Sequence, residues 1–185
     1  MNPHQISDRH VTYAQLICFA IAIIAVLGNV AFPNQHISHK IIQTAFATGS
    51  ILLAMKLARE GWDMAAAGFT IFGIAWGILF AGVDFWYEKP GMHIISSAGY
   101  FFFPAFILIS FYKPFPKWIK IATLWCAFPY TINLILFNMN HNHNVLGIWA
   151  EIGFMSFHIV SLCWSVYFFK QYKKSIAVNE IKIEE

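Results

Sequence analysis

Six apolar stretches of bilayer length follow one another with hardly a gap, and they leave the chain few ways to fold. They cover residues 12–32, 39–57, 62–86, 93–112, 118–138 and 145–170. A helix rises 1.5 Å per residue, so about 20 apolar residues cross a hydrocarbon core of about 30 Å. Within such a core each backbone N–H and C=O must find its partner inside the chain, which restricts spanning structures to helices and closed barrels. Barrel strands need only about 10 residues, so stretches of this length predict helices. The expected fold is all-α: a polytopic membrane protein, with one six-transmembrane-helix bundle over residues 1–185 and a short tail at 171–185. Short connections make consecutive helices antiparallel neighbours. Only 11% of the residues are charged, well under the roughly 25% of an ordinary soluble domain.

The few cations set the expected orientation. With a cytoplasmic N-terminus, ten of the twelve Lys and Arg residues fall on the cytoplasmic side and only Lys40 and Lys89 on the other. Such a bias places both termini in the cytoplasm of a cell (inner) membrane and requires an even number of spans. Because the basic residues sit between apolar runs, they read as topology signals, and no nucleic-acid partner is implied. The bilayer itself is the expected partner. Residues 2–10 lack the compact apolar core and small-residue cleavage site of a secretory signal, so the first span is expected to be retained. Cys18, Cys126 and Cys163 are isolated in apolar segments and read as small hydrophobes.

Small residues concentrate in the third span, where Gly73 and Gly77 stand four apart. Such spacing lets a neighbouring backbone come close, within the bundle or in a homo-oligomer. Prolines interrupt the next two spans at Pro104 and Pro129, freeing the carbonyls of Tyr100 and Trp125 and predicting a kink in each.

The last span carries Glu151 and His158, and an ionisable group at membrane depth is a functional-site hypothesis by default. Seven residues apart, they share one helix face but are separated by about 10.5 Å along the axis. Gly147, Met155, Leu162 and Ser165 lie on the same stripe. That stripe is expected to face the bundle, with Trp149, Phe157, Val160, Trp164 and Tyr167 facing lipid. Counting depth from the span ends brings His158, Pro104, Pro129, Ser50 and the Gly73–Gly77 segment to the midplane. Interrupted helices at mid-depth point to a binding site in membrane carriers. The expected ligand-binding set is His158, Glu151, Asn133, Ser50, Trp76 and Tyr100. Asn133, with His93 and His143, is a prospective partner for Glu151.

A second polar group collects toward the opposite, outer face. His36, His39, His93, His141, His143 and Asp84 are the residue types that zinc, copper or iron would take, although H-x-x-H and H-x-H in loops are weak metal patterns. Clustered histidines beside carboxylates also fit a pH sensor. The repeated histidine boxes of di-iron hydroxylases are absent, as are the paired cysteines of quinone-linked disulfide enzymes and the G-x-S-G of intramembrane rhomboid-type proteases. No cofactor is named by the chain. Two expectations follow: a non-catalytic membrane protein that binds or moves a small or lipophilic ligand in a midplane cavity, or serves as an accessory subunit; or a membrane-embedded metal-dependent enzyme with its site near the outer face.

Overall fold

A computed structural model of the chain describes residues 3–28, 35–83, 89–140 and 143–184. It contains six helices: α1 Pro3–Gly28, α2 Gln35–Arg59, α3 Asp63–Val83, α4 Lys89–Ser110, α5 Lys117–Asn140 and α6 His143–Glu184. No strand occurs among the described residues. Five helices are long and apolar enough to cross a membrane, and α4 contributes a shorter apolar stretch, Ser96–Ser110. The architecture is that of an integral membrane protein.

Two helices overrun their apolar runs for a simple reason. Pro3 occupies the first helical position, where its fixed φ is favourable, and no glycine or second proline intervenes before Gly28. Likewise nothing between Lys170 and Glu184 breaks a helix, so the tail continues α6 to a total of 42 residues. The prolines at 104 and 129 lie inside continuous helices. A tight stop does occur after α2, where Gly61 adopts a φ of 77°. Around it, Trp62 N–H donates to the Leu57 carbonyl at 2.8 Å and Gly61 N–H to that of Ala58 at 3.1 Å, which closes the helix as a Schellman cap.

Each helix packs on the next, and α1 meets α6, so the six form a ring in chain order. One end of the ring carries the α1–α2, α3–α4 and α5–α6 connections, and we call it the three-loop end. The other, the terminal end, carries the remaining two connections and both chain termini. At that end α1 and α6 meet through an edge-on contact of Tyr13 with Tyr172 at 4.9 Å between ring centroids.

Six helices in a ring leave an axial space that small side chains cannot fill, and aromatic residues fill it here. Phe46 of α2, Phe72 of α3, Phe106 of α4 and Phe157 and Trp164 of α6 are all fully buried. Their rings meet at centroid distances such as 4.9 Å for Phe46–Phe157, 5.0 Å for Phe72–Phe157 and 5.6 Å for Phe72–Phe106. Toward the terminal end, Phe69, Phe168, Tyr112 and Phe115 continue the column. Two polar groups there are paired: Trp164 Nε1–H donates to Thr123 Oγ1 at 3.0 Å, and the Tyr167 hydroxyl donates to the Pro114 carbonyl at 2.7 Å.

This packing reverses the expected facing of the last span. Phe157, Val160 and Trp164 point into the ring, whereas Glu151, Met155 and Leu162 lie on its outside. The expectation assumed closely packed helices, for which small residues make the better interface. A ring with a wide lumen instead draws in the largest side chains, because an apolar outer face costs nothing against lipid. The glycines of α3 also divide their roles. A Cβ at Gly68 would lie 2.7 Å from the Ile109 backbone nitrogen of α4, and one at Gly73 would lie 3.2 Å from the Ala47 carbonyl of α2. Gly77 has nothing within 4 Å. Gly73 thus brings the α2 backbone close as its spacing suggested, Gly77 does not, and the tighter approach falls at Gly68, which the four-residue spacing did not single out.

Candidate functional site

Above the aromatic column, at the three-loop end, the lumen opens into a cavity of about 630 Å³. Five helices wall it, with α1 absent from the wall among the described residues. His39, Ile42 and Gln43 of α2 face Trp76 and Leu79 of α3, then Ser96, Gly99 and Phe102 of α4. Tyr130, Asn133 and Leu134 come from α5, and α6 adds a row from Glu151 to Ile159. Trp76, Phe102 and Tyr130 also belong to the aromatic column, with Phe102 and Tyr130 stacked at 4.7 Å and Trp76 and Phe102 edge-on at 5.7 Å. They form the cavity floor.

The cavity opens sideways. Ile152, Met155 and Ile159 line it and are nevertheless 39%, 64% and 65% exposed on the outer face of the bundle. Residues that share a helix stripe and belong to both surfaces mark the rim of an opening. From Glu151 to Ile159 that rim runs about 12 Å along α6. The opening lies beside a helix whose neighbouring exposed side chains are apolar, so it faces the level that lipid chains would occupy.

Inside, the wall is mainly apolar with a few polar side chains, the usual make-up of a small-molecule site. Three of the polar residues carry an atom that is buried and has no hydrogen-bond partner: Gln43 Oε1, Trp76 Nε1 and Asn133 Oδ1. Leaving a buried polar group unpaired costs about 1–3 kcal/mol, so three on one cavity, from three different helices, is a substantial concentration. Glu151 is exposed at the rim, and His39 is half-buried in the wall.

Of the residues expected to bind a ligand, Glu151, Asn133 and Trp76 therefore meet at one cavity. His158, Ser50 and Tyr100 are not in its wall. The level of His158, where the cavity was expected, is occupied by rings: Phe154, Phe157 and Phe46 lie 4.1, 5.1 and 5.6 Å from the imidazole. Its Nδ1 is 2.6 Å from the Phe154 carbonyl, which can only accept, so Nδ1 carries the proton. Nε2 is buried without a partner, as are Ser50 Oγ and the side chain of Gln15. Phe19 and Cys18 of α1 press on Gly49 of α2, which sets the register and puts Gln15 within about a turn of Ser50. Tyr100 faces outward and pairs with Asn138, whose Nδ2 donates to the phenol oxygen at 3.0 Å.

Among the expected metal ligands, His39 lines the cavity. The side chains of His36, His93 and His143, and the whole of Asp84 and His141, lie outside the described residues. Among those described, no three His, Cys, Asp or Glu side chains gather where they could hold a metal ion.

Gln43 was missed by the depth argument, although its signal is visible. Residues 39, 42, 43, 46, 50, 53 and 57 recur at helical spacing, and all but His39 are buried. A lone glutamine on the buried stripe of an apolar helix is the trace of this wall. Ser96, Gly99 and Tyr130 offered no comparable sign. Comparison of the chain with protein-family models, with curated proteins and with solved structures gives no match.

Proposed function

We propose that the protein crosses a cell (inner) membrane six times, with both termini cytoplasmic, and binds a small lipophilic ligand in the lateral cavity. It does so without a catalytic step, as a carrier or as an accessory membrane subunit. The observation that carries this reading is the side opening along Ile152, Met155 and Ile159, which joins an apolar cavity to the outer face of the bundle. A ligand that partitions into the bilayer could enter without crossing water, and the unpaired atoms of Gln43, Trp76 and Asn133 would give its polar end partners inside. Gly99→Leu is the corresponding block, since its Cβ meets neighbours only at 3.8 Å while the longer side chain grows into the cavity. Mass spectrometry of the protein extracted with its lipids is expected to find a small molecule on the wild type that Gly99→Leu lacks. Equal ligand content in both would remove the cavity from the account.

A metal-dependent site is the second reading, favoured by one observation: His39 and Glu151 reach the same cavity. Elemental analysis of the purified protein distinguishes the two, with stoichiometric transition metal favouring the second.

A further inference from the structure

Apart from the imidazole of His39, the polar groups of the cavity are one-sided in charge. Among the described residues its wall contains no Lys or Arg. It contains a carboxylate, Glu151, and two buried, unpaired carbonyl-type acceptors, Gln43 Oε1 and Asn133 Oδ1. The Gln43 side chain is 3% exposed. Below these acceptors the floor presents aromatic rings, Trp76, Phe102 and Tyr130. The faces of such rings carry negative quadrupole charge and attract organic cations, most strongly where water is excluded. Acceptors above, rings below and a carboxylate at the rim are together complementary to positive charge. An anion would find none of the described Lys or Arg side chains in this wall, and a phosphate-bearing lipid would leave its phosphate unpaired.

We propose that the ligand is a membrane-borne amphiphilic cation, a single positively charged nitrogen on an apolar body. It would enter past Glu151 and seat its charge between Gln43, Asn133 and the aromatic floor. The remaining unpaired donor, Trp76 Nε1–H, fits a hydroxyl or carbonyl oxygen on the same molecule. This inference rests on the reading of the cavity as a ligand site.

The test uses two ions of the same shape and opposite sign, tetraphenylphosphonium and tetraphenylborate, with the full-length protein in lipid nanodiscs. Binding to the cavity is the part that Gly99→Leu removes, which excludes partition into lipid. The cation is expected to show such a component and the anion none, and Glu151→Gln is expected to weaken the cation at least about tenfold, the scale of one charge-assisted contact. Choline, with the charge but no apolar body, is expected not to compete. Equal cavity binding of both ions, stronger binding of the anion, or no change in Glu151→Gln would overturn the charge preference and leave the cavity reading standing. Effective competition by choline would overturn the need for an apolar body. If neither ion has a component sensitive to Gly99→Leu, the cavity reading falls, and the inference falls with it.

Discussion

The two halves of the bundle are made from the same helices and put them to opposite use. At the terminal end the lumen is filled by Phe69, Trp164, Phe168, Tyr112 and Phe115, and Trp164 and Tyr167 are paired, on Thr123 and Pro114, although Gln15 and Ser50, between α1 and α2, keep buried atoms without a partner. At the three-loop end the lumen is open, and Gln43, Trp76 and Asn133 hold unpaired atoms at its wall. Folding alone favours filled space and paired groups. In how its space is filled the terminal half is thus arranged for stability, and the three-loop half forgoes part of that, which is what a binding site requires.

Truncation in the closed half is the strongest way to break this contrast. Trp164→Ala removes a fully buried ring and leaves Thr123 without its donor. It is expected to cost about 3–5 kcal/mol in unfolding experiments in detergent. Met155→Ala, on the rim, is expected to stay within about 0.5 kcal/mol of the wild type. Similar losses from both would show that the halves do not differ in stability.

Smaller but still clear is the effect expected at the α3–α4 contact. In Gly68→Ala a methyl group would sit 2.7 Å from the Ile109 nitrogen, so the helices must part, at a cost of about 1–3 kcal/mol by thermal unfolding. Gly77→Ala is the matched control and should be silent, because nothing lies within 4 Å of it.

Gly99→Leu sharpens the comparison from the open side. Ligand binding is expected to fall at least about tenfold while unfolding shifts by less than about 1 kcal/mol. A large loss of stability with binding retained would mean that the cavity serves packing.

A modest effect is expected from Tyr167→Phe. It removes the bond to the Pro114 carbonyl and the one received from Gln171 Nε2 at 2.8 Å. These bonds are exposed, so the expected loss is about 0.5–1.5 kcal/mol, read from the same unfolding curves.

Much of the architecture was legible because it follows from local chemistry. The length of each apolar run, the small number of charges and the short connections require helices in antiparallel order, for backbone groups in hydrocarbon have no other partners. Asn133 was singled out as a polar residue in an apolar span, and Asn133, Glu151 and Trp76 do share a wall, whereas Gln43 was passed over. Depth counting failed at His158, because distance along an axis does not say what fills the space at that level. Phe46, Phe154 and Phe157 occupy it, and the opening lies nearer the three-loop end.

Two matters were decided by the tertiary structure alone. One is which side of α6 turns inward. In water, polarity would choose the face, but against lipid both faces of residues 146–170 are acceptable, and the choice falls to volume. A ring of six helices has room for Phe157 and Trp164 and no need of small residues, so they go in and Glu151 is left at the rim. The other is the cavity itself, which exists because rings from five helices close the lumen below it and the side chains of the wall leave space above them. Amino-acid order determined how many helices there are and how they run, since those depend on neighbours in the chain. The site depends on how much space the neighbours in the ring leave between them.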